Sequence, residues 1–525
     1  MQRARWGLRK RIILIIRWLD GFRRDRRGNV ALTFALAAVP LTMMLGMGVD
    51  IANATRVKLA LQDATDAAAI SLARQAPTIA DAAIASTAKS YVQQSYTDTA
   101  SVTVTTATID RNTITATLDT QVSVPTFFSQ IVGVSSLSVT SHAVAKGMLL
   151  EIAMVLDTSG SMSQSAGSGG SKIAALKTAS SSFLDAMFGT QTTSQRVSVS
   201  IVPFSTAVRV VAAGTTAPSW MDTGGTAPDA FDDFDVATKT RFQMFAAMRS
   251  QSWGGCVMTR PSPNDVTDAS PVAGTPATLF VPWFAPDEPD TLLSGAQVAY
   301  ENNYISDTGG TCSGSTNGKS DLWRQNRTCK YSNATAASGY GPNYLCVSQA
   351  ITPLTGTRAT LDTAINGLAA NGDTNIMEGM MWGWRVLSPG APFTEGKSYT
   401  APNNRKVIVL MTDGVNNFNG VNNPNMSYYF TYGFAKDGRI GQTTSNNTTL
   451  QNLLDTKTLS ACTNAKASGI LIYTIGFGSG AAGSAGLLQS CATDASKYYA
   501  PLNSSDLVPV FQKIAQSINS LRIAE

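Results

Sequence analysis

The pattern of apolar and polar positions changes character several times along the chain. From Val30 to Val49 it reads VALTFALAAVPLTMMLGMGV, with no charge over twenty residues, enough for a helix to cross the roughly 30 Å hydrocarbon layer of a membrane. Pro40 within it is tolerated in such a helix. IANATRVKLALQDATDAAAISLARQ (Ile51–Gln75) then sets apolar residues at helical spacing among many Ala and Leu, which predicts that the helix continues beyond the span. SVTVTTATIDRNTITATLDTQVSV (Ser101–Val124) alternates Val, Thr and Ile with polar residues around DRN and predicts a hairpin. SLSVTSHAVAK (Ser136–Lys146) predicts one further strand.

From Leu149 the rhythm becomes strand, helix, strand, helix. Apolar strands are expected at Leu149–Leu156, Val197–Phe204, Lys406–Met411 and Ile470–Phe477, with helices at Ser171–Phe188, Asn375–Leu387, Leu450–Ser468 and Ser504–Leu521. Strands without polar alternation, separated by helices, predict a parallel sheet covered on both faces. The expected fold class is therefore α/β: a transmembrane helix with a small β-rich unit, then a doubly wound parallel sheet. Ligands of such sheets gather beyond the carboxyl ends of the strands. The rhythm breaks over 206–355, a stretch rich in Gly, Ser, Asn and Pro with four cysteines. It is too long for a loop and predicts an inserted, disulfide-bearing subdomain. The resulting division is 1–29 basic tail, 30–49 span, 50–147 helix and β unit, and 148–522 sheet domain interrupted by 206–355.

Charge changes this picture in one respect. Of the formal net charge of +5, the first 27 residues hold +8, which leaves −3 for the rest. A nucleic-acid surface needs basic residues spread over a folded face, so the pattern argues against nucleic acid. A basic flank stays cytoplasmic, which places the N-terminus in the cytoplasm and the bulk of the chain outside the cytoplasmic membrane, periplasmic or extracellular. A cleaved signal peptide is the competing reading, since ANA at Ala52–Ala54 resembles a cleavage site. RIILIIRWL (Arg11–Leu19) is too short to cross and is expected along the inner surface.

All six cysteines (Cys256, Cys312, Cys329, Cys346, Cys462, Cys491) follow the span, which fits disulfides in an exported region. Cys462 and Cys491 flank an apolar strand and can close on each other; the connectivity of the set stays open. No pair has CxxC spacing and the one histidine, His142, is remote, which argues against zinc.

The candidate chemistry lies where strands end. EIAMVLDTSGSMSQS puts Asp157 at the carboxyl end of the first sheet strand, with Ser159 and Ser161 at i+2 and i+4. VIVLMTDG puts Asp413 at the end of another, before Gly414, and NGDTNIMEGM offers Thr374 at the head of a helix. Singly, each has a structural reading as a turn or an N-cap. Together at one rim, two carboxylates and three hydroxyls make a hard-oxygen set suited to Mg²⁺, with Mn²⁺ or Ca²⁺ open. Glu378, one turn after Thr374, is read as an ordinary helix residue, and the Asn residues of Val415–Phe430 as solvated turns. SAGSGGSK (Ser165–Lys172) has Ser before Lys and Ile after it, so it is a linker rather than a phosphate loop.

Two resemblances follow from these residues. RRDRRGNVALTFALAAVPL (Arg23–Leu41) and LQDATDAAAISLA (Leu61–Ala73) resemble the TadE/TadG-like Flp pilus-assembly proteins. Processed members commonly carry Glu five residues after the glycine; here that position is Thr33, so cleavage after Gly28 is not expected. Asp157, Ser159, Ser161, Thr374 and Asp413 resemble the metal-ion-dependent adhesion site (MIDAS) of von Willebrand factor type A (vWA) domains. That resemblance implies direct coordination by Ser159, Ser161 and Thr374, with Asp157 and Asp413 acting directly or through water. It also implies a partner protein whose Glu or Asp completes the ion's shell. The expected function is a membrane-anchored, metal-dependent binding and assembly component of a Flp/Tad-type pilus. A cell-surface adhesin for host or matrix ligands is the alternative, and a metal-dependent hydrolase a third; with no nucleophile elbow and no base near the rim, an enzyme is not expected.

Overall fold

The computed structural model describes residues 28–76, 79–110, 115–167, 170–235, 239–291 and 300–520. The basic run through Arg27 and the stretch Arg11–Leu19 lie outside them. The chain divides after Gly147 into two units.

In the first unit one helix, α1 (Gly28–Gln75), runs without interruption through Pro40. Its apolar half is uncovered: Leu36, Met44 and Leu45 are exposed. From Val57 the same helix turns amphipathic, burying Val57, Leu61, Ala64, Ala68 and Leu72, the three-to-four spacing of a single helix face. That face packs with α2 (Ile84–Ser95) and, among the described residues, a three-stranded antiparallel sheet of β1 (Val102–Asp110), β2 (Thr115–Pro125) and β3 (Ser136–Lys146). Leu118 pairs with Ala143 in register, and Thr65 meets Thr120 Oγ1 to Oγ1 at 2.7 Å.

The second unit opens with β4 (Leu149–Asp157), α3 (Lys172–Phe188) and β5 (Val197–Phe204). After the irregular stretch, which holds the short helices α4 (Arg241–Ala247) and α5 (Asp321–Gln325), come β6 (Thr352–Thr355), α6 (Arg358–Asn366), α7 (Ile376–Arg385) and β7 (Asn404–Thr412). The chain ends with α8 (Asn447–Ala467), β8 (Leu471–Gly476), α9 (Ala485–Cys491), β9 (Tyr498–Tyr499) and α10 (Ser504–Ser520). Among the described residues the sheet order is β6-β5-β4-β7-β8-β9, parallel except for β6. This is a doubly wound sheet with an antiparallel edge, and its strand order reverses between β4 and β7. All nine residues of β4 are buried, because helices cover both faces. On one face Phe183 of α3 meets Phe511 of α10 edge to face, 6.2 Å between centroids, over Ile152, Met154 and Val409.

On the other face the disulfide-bearing insertion packs into the sheet domain: Trp253, Phe280, Phe284 and Tyr331 join one core with Val155, Phe204, Ile408 and the helix α7. All ten residues of α7 are buried, because the insertion covers the side a surface helix would turn to water. The last residues of the stretch return to the sheet as β6. Among the described residues all six cysteines are paired, Cys256–Cys346, Cys312–Cys329 and Cys462–Cys491; the third ties α8 to α9 across β8.

The insertion is polar inside. Glu288 Oε2 accepts N–H bonds from Glu301 at 2.9 Å and Asn302 at 2.6 Å, and Oε1 accepts from Asn425 Nδ2 at 3.0 Å. Burial pushes its carboxyl from the ordinary 4.5 up to about 7. The folded state therefore keeps a proton that the unfolded chain has lost, and stability falls as pH rises through that window. We expect the parent to lose more stability than Glu288→Gln between 4.5 and about 7, by up to about 3 kcal/mol. Parallel pH dependences in urea unfolding would count against this assignment.

Candidate metal centre

The site sits at the switch point between β4 and β7, the crevice where doubly wound sheets take ligands. The apolar run of β4 carries Asp157 to the rim, where it is fully buried. Asp157 Oδ1 accepts the N–H of Ser159 at 2.8 Å, and Oδ2 accepts the Thr412 hydroxyl at 2.6 Å. A 3₁₀ turn, Gly160–Ser163, follows, anchored by Met162, which is buried in the core beneath. The turn aims both serines at one point: Ser159 Oγ and Ser161 Oγ are 3.1 Å apart, and Ser161 Oγ donates to Asp413 Oδ1 at 2.6 Å.

Asp413 follows the end of β7 and is held from behind. A Cβ on Gly480 would come 2.6 Å from its carbonyl oxygen, and Ser484 Oγ donates to Gly414 O at 2.7 Å. The Thr374 loop is stitched to the β4 loop by backbone: Gly160 N–H donates to Gly372 O at 2.8 Å and Asn371 N–H to Thr158 O at 2.8 Å. Asn375, not Thr374, caps α7, its side chain accepting from Glu378 N–H at 3.2 Å. Thr374 keeps its hydroxyl toward the Asp413 turn, where a Cβ on Gly414 would lie 3.6 Å from Thr374 Oγ1. The structure thus brings Asp157, Ser159, Ser161 and Asp413 into one bonded chain, with Thr374 beside it.

One participant escaped the sequence reading. Lys172, the first residue of α3, places Nζ 2.6 Å from Asp413 Oδ2, with Gln164 Oε1 at 3.4 Å. The residue read only as a misplaced phosphate-loop lysine is the cation of the site. The available signal was a lysine at the head of the helix that follows the Asp-x-Ser-x-Ser turn. Glu378 points elsewhere, accepting from Thr259 of the insertion. Asn416, Asn419 and Asn425 of the 415–430 loop are bonded within the protein rather than solvated. Asn416 Nδ2 donates to Asp455 Oδ1 at 2.8 Å, Asn419 Nδ2 to Asp373 Oδ1 at 3.0 Å, and Asn425 Nδ2 to Gln325 Oε1 at 2.7 Å, so that loop binds the Thr374 loop, α8 and the insertion together.

The electrostatics call for positive charge. Burial, and secondarily the charge of Asp413, push the Asp157 carboxyl up to about 6, against the bonds from Ser159 and Thr412. The charge of Asp413 at the same dry rim disfavours ionisation of Asp157, and a divalent cation would offset that cost. The donor set fits one. In an octahedron with bonds of 2.0–2.1 Å, neighbouring ligands stand about 2.9 Å apart, and the Ser159–Ser161 and Ser161–Asp413 separations are 3.1 and 2.6 Å. Among the described residues no three of His, Cys, Asp or Glu cluster as a metal site; the rim gathers two carboxylates and three hydroxyls instead. His142 lies in the first unit, paired with Asp119 at 2.6 Å.

Comparisons with known proteins bear on both units. Residues 28–75 match the Tad family model, described as Flp pilus-assembly TadE/G-like. No curated protein matches the chain. Among solved structures it is similar to the vWF domain of the type V pili tip protein Mfa5 from Porphyromonas gingivalis (13% identity, TM-score 0.33, covering 73% of this chain and 98% of that one). It is also similar to the adhesive tip pilin GBS104 from Group B Streptococcus agalactiae (10%, 0.33, 70% and 99%). A third is proximal thread matrix protein 1 from the mussel byssus, solved with a zinc-occupied MIDAS motif (11%, 0.28, 71% and 46%).

Proposed function

We propose that this chain is a membrane-anchored, non-enzymatic binding component of Flp/Tad-type pilus assembly, and that its second unit engages a protein partner through a divalent cation. Asp157, Ser159, Ser161, Thr374 and Asp413 would hold the ion, Mg²⁺ by preference for hard oxygen and few carboxylates. The ion would supply an electron-poor position for one more anionic oxygen, a Glu or Asp of the partner. The TadE/G-like match over residues 28–75 supports the assembly role. A helix long and apolar enough to cross a membrane supports anchoring, with the basic N-terminus cytoplasmic and the sheet domain beyond the bacterial inner membrane. The observation that carries the metal reading is the Ser159–Ser161–Asp413 chain, closed on a buried Asp157 that burial keeps short of charge.

Lys172 tests this reading directly. Its ammonium neutralises the same carboxylate that an ion would need, so the two cations compete for Asp413. We expect Lys172→Met to bind Mg²⁺ and Mn²⁺ roughly tenfold tighter or more, since unit charges about 4 Å apart interact by about 4 kcal/mol at an effective dielectric near 20. Calorimetric titration of the full chain in detergent measures this. Equal affinities in parent and variant would separate Lys172 from the site; silence in both would remove the metal reading.

A further inference from the structure

The first unit carries a group of large apolar side chains that its own core leaves uncovered. Phe127, Ile131 and Val132 are 70%, 63% and 54% exposed, and Phe128 and Val134 are exposed beside them. All five belong to the short connection between β2 and β3, which contains one 3₁₀ turn, Ser129–Val132. Single exposed apolar residues are ordinary, but five on one loop mark a contact surface.

The height of this loop along α1 identifies what it touches. Asp50 is the first charged residue after the apolar span. Its carboxylate accepts the N–H groups of Phe127, Phe128 and Ser129 at 2.9, 3.0 and 2.7 Å and the Ser129 hydroxyl at 2.8 Å. Phe128 then reaches back along the helix and lies on Gly46, where a Cβ would fall 2.3 Å from its Cγ. Gly46 is inside the span, about 6 Å along the axis from Asp50 at 1.5 Å per residue. The ring of Phe128 is therefore level with apolar helix surface, next to the exposed Met44, Leu45 and Val49. The loop also satisfies its own polar groups. Thr126 N–H donates to Ser135 O at 3.2 Å, Thr126 Oγ1 to Val134 O at 2.5 Å, and Gln130 Nε2 to Phe127 O at 3.2 Å. Backbone satisfied within the protein is the condition for irregular chain to enter an apolar medium.

We infer that the 127–134 loop is a second membrane contact, seating Phe127, Phe128, Ile131 and Val132 among the lipid acyl chains of the leaflet from which α1 emerges. Asp50 and Ser129 hold the loop at the boundary between acyl chains and headgroups. Two apolar contacts side by side fix the rotation of α1 about its axis, which a lone span leaves free, and so set which face of the first unit looks along the membrane. The inference rests on the reading of α1 as a membrane span.

The test uses the full chain in vesicles of phosphatidylethanolamine and phosphatidylglycerol containing acyl-brominated lipid. Because the native cysteines are all paired, a single introduced cysteine takes an environment-sensitive fluorophore alone. Three variants are compared: Ile131→Cys in the loop, Leu36→Cys in the span and Thr108→Cys toward the opposite end of the sheet. Quenching of the Ile131→Cys label comparable to Leu36→Cys, several-fold above Thr108→Cys and with blue-shifted emission, is the expected result. A Leu36→Cys label quenched by lipid beside an Ile131→Cys label open to aqueous iodide overturns this inference alone. An Ile131→Cys label shielded from both quenchers means that protein covers the loop, and overturns it as well. Absence of lipid quenching at Leu36→Cys removes the anchoring reading and the inference with it.

Discussion

Asp413→Asn is expected to weaken Mg²⁺ and Mn²⁺ binding by about a hundredfold or more in calorimetric titration of the full chain. Loss of a group that merely supports a metal ligand costs about 10–100-fold, and Asp413 belongs to the proposed ligand set itself, bonded through Oδ1 to Ser161 and through Oδ2 to Lys172. The substitution keeps the side-chain shape and removes the charge. Its one structural cost is that Lys172, whose side chain is 11% exposed, loses its counter-ion. The double variant Asp413→Asn with Lys172→Met removes that cost by deleting both partners. The three variants then separate the roles: Lys172→Met alone gains affinity, while Asp413→Asn and the double variant lose it with the fold retained by circular dichroism. Undiminished binding in the double variant would place the ion elsewhere, and the site would be a buried hydrogen-bond network that joins three loops.

The second large effect concerns the insertion. Cys256 and Cys346 are 90 residues apart, so replacing both by Ala should cost about 4–5 kcal/mol through the entropy returned to the unfolded chain. Cys312 and Cys329, 17 residues apart, should cost about 3 kcal/mol. Against a total stability of about 5–15 kcal/mol for a domain, the first loss is the one that threatens folding. It should also reach the metal rim. Val347, next to Cys346, would contact a Cβ on Gly372 at 3.2 Å. Ser348 Oγ bridges Arg209 N–H at 3.0 Å and Ala207 O at 3.1 Å. Thr206 then accepts the Asp373 N–H on Oγ1 at 2.7 Å and the Asn375 side chain on its carbonyl at 3.1 Å. The disulfide therefore clamps the strip against which the Thr374 loop rests. Urea unfolding of the two double variants should show the larger loss of midpoint for the Cys256/Cys346 pair, and cation binding should weaken in that variant only. Equal losses, or unchanged binding, would mean that the insertion does not brace the site.

Much of this molecule follows from its sequence, because the relevant forces act over short stretches of chain. The uncharged run Val30–Val49 demands a helix, since an apolar medium leaves backbone groups no other partner. The apolar strands and their helices declare the α/β class, and strand ends declare the positions of Asp157 and Asp413 without any knowledge of their neighbours. Tertiary structure decided everything that depends on meeting across long separations. Lys172 reaches Asp413 across 241 residues, and no local pattern distinguishes that lysine from one facing water. Thr374 keeps its hydroxyl for the rim because Asn375 takes over the cap, a choice set by how α7 enters the core. The insertion has no period of its own because it completes a face of the sheet domain: its Trp253, Phe280, Phe284 and Tyr331 share one core with Phe204 and Trp382. The place of the loop at Phe127 likewise depends on Asp50, which binds it across some 77 residues of chain. Periodicity records which face of an element is buried; which charged or polar group it meets there is a property of the closed chain.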